Sequence, residues 1–270
     1  NQSAGSFGRG LRRNDYQKIY ILPPSFSSAW MAFQASIPVR IGYAEEFRGL
    51  LLKPAIKRKH PPRAKHLLEE YLQLLEIGDT KTKWLPKLVI EDGWEQFQLK
   101  QLEEDLPRQF ICFAPGAVYG PAKQWPKKSF QKLGEQLVQE TTYSVVLVGT
   151  NADIEVADFV QNDQKEIINL CGKTNLNQLV AVLSRASLLI SNDSGAMHVM
   201  AALNNPQIAL FGSSTPRWTA PLNPNAEVLY LNLECSPCFK RRCPYEHLNC
   251  LNQISSSQVF KKTLEILEDP

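Results

Sequence analysis

The chain has 270 residues, 43% hydrophobic and 21% charged, which excludes a disordered polypeptide and leaves room for two domains. No apolar run reaches the ~18 residues a membrane-spanning helix needs and the N-terminus carries no signal-peptide pattern, so cytoplasmic residence is expected. The net charge of +3 hides an asymmetry: residues 1–66 hold twelve Lys/Arg against three Asp/Glu, and the remainder eighteen against twenty-four. In chain order, Gln17–Leu22 reads as a strand, Phe26–Ala35 as a helix and Val39–Tyr43 as a strand. Ala64–Glu76 reads as a helix whose apolar face is Leu67, Leu68, Tyr71, Leu72 and Leu75. Between them lies the basic run Lys53, Lys57, Arg58, Lys59, Arg63 and Lys65. It is either a solvated loop or a surface facing the phosphates of an anionic acceptor or a membrane. Nucleic acid is disfavoured, because no aromatic residues interleave with these cations for base stacking. The pattern starts in mid-course and the first residue is Asn rather than Met, so a fragment or a processed product is expected.

Lys87–Ile90 and Trp94–Leu106 read as a join. Beyond it, five compact apolar runs read as buried strands: Gln109–Ala114, Ser144–Gly149, Ile167–Gly172, Ser187–Asn192 and Gln207–Gly212. Between them stand helical patterns at Lys127–Thr141, Asp153–Gln161, Asn175–Arg185 and Ser194–Leu203, and a last helix is expected over Ser256–Leu267. Strict alternation with short loops predicts a parallel sheet covered on both faces, a doubly wound α/β domain. The expected division is 1–107 for a first α/β domain with its linker, 108–254 for the doubly wound domain, and 255–270 for the C-terminal helix.

Open α/β sheets bind ligands at the carboxyl ends of their strands, near helix N-termini. Four segments fall there. Ala114–Pro126 is a Gly/Pro loop carrying Lys123, either a phosphate-approaching loop or an ordinary turn; its spacing is not that of a P-loop. Gly149–Glu155 offers Asp153 or Glu155 to ribose hydroxyls, unless these acids only complement a helix dipole. Gly172–Leu176 offers Thr174 to a base, unless it is part of a cap. Ile190–His198 is the most informative. Its strand stops at Asn192-Asp193 and its helix starts at Ser194 and Gly195, with His198 one turn on and tilted toward the same end. Orphan N–H groups and the dipole there suit a diphosphate. The Gly212–Pro216 segment either adds hydroxyls to the same crevice or is a turn.

Together, the Pro-Gly-Ala…Tyr-Gly-Pro-Ala-Lys-Gln-Trp-Pro loop and the Asn-Asp-Ser-Gly-Ala-Met-His-Val helix start resemble the bacterial lipopolysaccharide heptosyltransferases of glycosyltransferase family 9, heptosyltransferase II type. Ala-Leu-Phe-Gly-Ser-Ser-Thr-Pro, Leu-Pro-Pro-Ser-Phe-Ser-Ser-Ala at 22–29 and Arg-Ile-Gly-Tyr at 40–43 agree. The resemblance implies a GT-B type α/β fold of two Rossmann-like domains with the active site in the cleft between them, the N-terminal one incomplete here. It implies an inverting transfer of heptose from ADP-heptose to the heptose of the lipopolysaccharide inner core, without an obligatory metal or other cofactor. It places Lys123 on the donor phosphates, Asp153 on the ribose and Thr174 at the adenine. Asp193, Ser194, Gly195 and His198 surround the diphosphate and sugar, and Ser25, Ser28, Arg40 and Arg48 lie on the acceptor side. Peripheral contact with the cytoplasmic face of the inner membrane is a further expectation. Members of the family open with a strand and a Gly-Asp loop whose Asp is the expected general base; that position lies upstream of residue 1. This chain alone is therefore expected to be inactive. The alternatives are a sister glycosyltransferase with another acceptor or nucleotide sugar, a non-catalytic nucleotide-sugar-binding fragment, and a zinc- or thiol-dependent interaction protein.

The last alternative arises from the cysteines. Cys112 and Cys171 lie on predicted strands and belong to the core. Cys235, Cys238, Cys243 and Cys250, with His247 among them, form either a structural zinc site or a set of reduced or disulfide-bonded thiols.

Overall fold

The computed structural model describes residues 8, 10–75, 85–102 and 104–268. Glu76, in the predicted helix Ala64–Glu76, and Glu103, in the predicted join, lie outside them. The chain forms two compact units, divided between Trp84 and Leu85.

The first unit carries a three-stranded parallel sheet, β1 (Lys18–Ile21), β2 (Val39–Tyr43) and β3 (Ala55–Ile56), in that order. Helix α1 (Phe26–Gln34) crosses over from β1 to β2, and α2 (Leu67–Leu74) follows β3. Small residues of α1, Ala29 and Ala32, let it lie close on Ile21 and Leu52. Its other side bears Phe26, Trp30 and Phe33, spaced four and three residues apart so that they share a helix face. Their rings stack in sequence at 6.4 and 5.7 Å, and all three are exposed. Arg58, from the basic run, is a structural cation. It pairs with Glu45 and Glu70 and lies 4.1 Å over the Tyr43 ring. The Tyr43 hydroxyl donates to the Glu70 carbonyl at 2.7 Å and so ties β2 to α2.

The second unit is a six-stranded, all-parallel sheet. Its strands are β4 (Phe110–Ala114), β5 (Ser144–Leu147), β6 (Ile167–Asn169), β7 (Leu188–Asn192), β8 (Gln207–Phe211) and β9 (Ala226–Tyr230). They run in the order β6-β5-β4-β7-β8-β9, the order of a Rossmann sheet, with the switch point between β4 and β7. The helices are α3 (Trp94–Leu99), α4 (Lys127–Glu140), α5 (Ile154–Gln161), α6 (Leu176–Arg185), α7 (Gly195–Leu203), α8 (Pro216–Thr219), α9 (Asn249–Asn252) and α10 (Ser256–Glu268).

Strand β4 shows why both faces are covered. Ile111 and Phe113 pack with Phe130, Leu133 and Leu137 of α4 and with Val259 of α10. The alternate residues Phe110, Cys112 and Ala114 pack on the opposite side with Val182 and Leu183 of α6 and Met200 of α7. Burying each such side chain contributes roughly 1.5–3 kcal/mol. Segment 85–107, assigned from the sequence to the first domain and its linker, packs on the second unit: Leu99, Leu102 and Leu106 join the β4–α6 core. The Leu88 N–H also donates to the Ala202 carbonyl of α7 at 2.8 Å. Of the predicted join, only Trp94–Leu99 is helical.

Two strands end at least two residues earlier than predicted, for local reasons. β5 stops at Leu147 because the chain turns at Gly149, where a Cβ would stand 2.9 Å from Asp153 Oδ2 and 3.0 Å from Cys171 Sγ. β6 stops at Asn169, whose side chain accepts from the Cys171 N–H at 2.9 Å and turns the backbone. Among the described residues, no helix is long and apolar enough to cross a membrane.

Candidate functional site

A cavity of about 610 Å³ opens at the carboxyl ends of β4, β5 and β7, within the size range of small-molecule sites. Asp153, Thr174, Ser194 and Gly195 all line it, which brings four of the seven donor-side candidates together. Its apolar walls are Val118, Val148, Leu176, Leu179 and Val199. Val118 is 90% exposed, as a residue placed at an opening rather than in a core would be.

Each polar lining residue has a local cause. Asp153 ends a 3-10 turn and closes a capping box with Thr150. The Thr150 N–H and hydroxyl both donate to Asp153 Oδ2 at 2.8 Å. Gly116 lies against this carboxylate, with no room for a side chain. Thr174 precedes Asn175, whose capping box with Gln178 starts α6. Helix α7 starts differently: no side chain caps it, although Ser194 occupies the cap position. Gly195 is exposed, with open space where a Cβ would stand. The first-turn N–H groups and the positive end of the dipole therefore meet the cavity without a protein anion in place.

Lys123 and Asp193 form an ion pair beside this helix start. Ser214 donates to Asp193 Oδ2 at 2.5 Å, and the Thr219 hydroxyl lies 3.3 Å from Oδ1. Asn192 pins the loop that holds Lys123: its Oδ1 accepts from the Trp125 N–H at 2.9 Å and its Nδ2 donates to the Pro115 carbonyl at 2.7 Å. His198 lies one turn into α7 with its side chain exposed, and does not line the cavity. Asn192, Ser214 and Thr219 were not singled out as individual residues. The Gly212–Pro216 hydroxyls are the signal that points to Ser214; Thr219 has none.

The four acceptor-side candidates are all engaged in local hydrogen bonds. Arg48 is 0% exposed, and its guanidinium donates to the carbonyls of Tyr43 (2.7 Å) and Ser25 (3.2 Å) and to the Ser28 hydroxyl (3.1 Å). Arginine as a residue type reads as a surface residue, but its planar fork matches several carbonyl oxygens at once. Arg40 is also engaged, donating to the Leu51 carbonyl at 2.6 Å and to that of Ile37. Ser25 caps α1 and Ser28 donates back to the Ser25 carbonyl at 2.7 Å. Ser25, Ser28 and Arg48 brace the start of α1, while Arg40 binds the segments that follow α1 and precede β3.

All six cysteines are free thiols. Cys112 and Cys171 are core residues, as expected. Among the described residues, no group of three or more His, Cys, Asp or Glu is placed to hold a metal ion. Burial pushes the Cys171 thiol up to about 12 and, reinforced by the neighbouring Cys235, Cys238 and Cys243, that of Cys250 to about 11. Only thiolates alkylate readily, and at pH 8 a thiol of this kind is ionised to about one part in a thousand or less. Iodoacetamide at pH 8 is therefore expected to label Cys235, Cys238 and Cys243 before Cys250, and Cys112 and Cys171 last. Peptide mass spectrometry of a time course checks this; early labelling of Cys250 in folded protein contradicts it. The unfolded thiols ionise first, so stability is full below pH ~9 and falls as pH rises toward the folded values.

Comparison with known proteins accords with this geometry. The model of glycosyltransferase family 9 (heptosyltransferase) matches residues 4–249. Lipopolysaccharide heptosyltransferase 2 of Escherichia coli is 36% identical over 239 residues, covering 83% of this chain and 68% of that protein. Lipooligosaccharide heptosyltransferase 2 of Haemophilus influenzae is 34% identical over 251 residues, covering 84% and 71%. The solved structure of E. coli ADP-heptose LPS heptosyltransferase II superposes with a TM-score of 0.82 at 30% identity, covering 98% of this chain and 80% of that one. The α/β fold with parallel sheets is thus of the GT-B heptosyltransferase type. The chain belongs to glycosyltransferase family 9, the heptosyltransferases.

Proposed function

We propose that this chain serves an inverting transfer of L-glycero-D-manno-heptose from ADP-heptose to the heptose of the lipopolysaccharide inner core, with its second unit holding the donor. The observation that carries this reading is the uncapped start of α7 opening into the same cavity as Asp153 and Thr174. In this proposal Val118 and Leu176 flank the adenine, with Thr174 at its edge. Asp153 accepts from a ribose hydroxyl, and the N–H groups after Ser194 take the diphosphate. Lys123 and His198 donate hydrogen bonds to the leaving diphosphate as it forms. Asp193 holds Lys123 in place. The acceptor side lies on the first unit, near Ser25 and Ser28 at the head of α1.

Relatives of this chain are named for lipopolysaccharide and lipooligosaccharide substrates, which fits an acceptor presented at a membrane surface. Peripheral contact with the cytoplasmic face of the inner membrane belongs to the same proposal. It is supported by the exposed Phe26, Trp30 and Phe33 on α1 and by the positive charge of residues 1–66.

The donor assignment is tested by binding. ADP-heptose and ADP are expected to raise the melting temperature of the chain, and UDP- or GDP-sugars to leave it unmoved. Lys123→Ala and His198→Ala should each weaken ADP binding by about 1.5–3 kcal/mol, the range for hydrogen bonds to charged groups. Stabilisation by a different nucleotide sugar would favour a sister transferase. Unaltered ADP affinity in both variants would move the donor site elsewhere.

A further inference from the structure

The ion pair of Lys123 with Asp193 leaves a charge deficit at this site. The two side chains sum to no net charge, while a diphosphate brings at least two negative charges. The Ser214 hydroxyl also keeps the Asp193 carboxylate beside Lys123. A second cation is held on the same loop from another part of the unit. The irregular segment after β9, which carries the cysteines, docks on the Lys123 loop through its backbone. The Tyr119 hydroxyl donates to the Phe239 carbonyl at 2.6 Å, and the Ala122 N–H donates to the Arg241 carbonyl at 3.1 Å. Gly120, at φ 145°, permits this approach: a Cβ there would stand 2.7 Å from the Arg241 carbonyl oxygen. The Tyr119 ring then serves two cations, with Lys123 Nζ 5.0 Å and the Arg241 guanidinium 5.6 Å from its centroid. Arg241 is exposed and, among the described residues, makes no ion pair.

We propose that Arg241 is a donor-binding residue that contacts the anionic diphosphate and supplies the positive charge that Lys123, paired with Asp193, does not. This rests on the second unit being the nucleotide-sugar site. A guanidinium offers two parallel N–H groups to phosphate oxygens, and the Tyr119 face orients it at little entropic cost. Docking through the Arg241 carbonyl makes the placement independent of its side chain, so the residue can be replaced without dismantling the loop.

Isothermal titration of the full chain with ADP and with adenosine tests this in wild type, Arg241→Gln and Arg241→Lys. The expected result is a loss of about ten-fold or more in ADP affinity for Arg241→Gln, partial recovery in Arg241→Lys, and equal adenosine affinity in all three. The salt dependence of ADP binding should also become shallower in Arg241→Gln. If wild type binds ADP and Arg241→Gln binds it as tightly, the inference is overturned and the pocket reading stands. If Arg241→Gln loses adenosine and ADP alike, Arg241 is a structural residue and the inference is again overturned. If wild type binds neither, the nucleotide reading itself fails.

Discussion

Trp125→Ala is expected to destabilise the second unit by about 3–5 kcal/mol, the range for truncating a large buried aromatic residue. Trp125 is 1% exposed and its ring meets Phe130 edge-on at 4.8 Å. Its indole N–H donates to the Ile254 carbonyl at 2.9 Å, which joins the Lys123 loop to the turn before α10. Alanine removes the packing and leaves that carbonyl without its partner. The backbone N–H that Asn192 holds is retained, so the loss should be mainly one of stability. Denaturant unfolding measures it; a change below about 1 kcal/mol would show that the ring's neighbours collapse to fill the space. Trp125→Phe keeps most of the packing and loses the hydrogen bond, so a smaller cost is expected.

Gly116→Ala should all but abolish nucleotide binding. Its methyl group would stand 2.6 Å from Asp153 Oδ2 and closer still to Oδ1, and Asp153 has little freedom to withdraw. Its carboxylate is held by the Thr150 N–H and hydroxyl, and Gly149 is crowded against it from the other side. Either the capping box breaks, costing about 1 kcal/mol, or the loop after β4 lifts away from the cavity. Both displace a proposed ligand contact, and a loss of about a hundred-fold in ADP affinity is expected from combined misplacement and lost hydrogen bonds. Gly195→Ala isolates the steric effect: no atom lies within 4 Å of its added Cβ, so the substitution should not lower the melting temperature. Unchanged ADP affinity in Gly116→Ala would remove Asp153 from the site.

The second sheet is legible in the sequence because buried parallel strands are continuous apolar runs, as β4, β7 and β8 are. β9 is not, because it is a half-buried edge strand, Ala-Glu-Val-Leu-Tyr, carrying a charge and following a turn-rich Asn-Pro-Asn. The convergence of Asp153, Thr174, Ser194 and Gly195 follows from topology alone, since loops at the carboxyl ends of neighbouring strands share one side of a sheet. Contacts between distant loops leave no such trace. Tyr119 with Phe239, and Asp193 with Ser214 and Thr219, are side-chain pairs whose spacing obeys no period. Arg48 misleads for a related reason. Arginine as a residue type suggests solvent, while the carbonyls that bury it come from a segment more than twenty residues away and from a turn nearby.

Asn192 welds two segments of backbone that chain connectivity would leave free to part, the one leaving β4 and the one leaving β7. A ligand arriving there finds the frame already assembled and has little ordering entropy to supply.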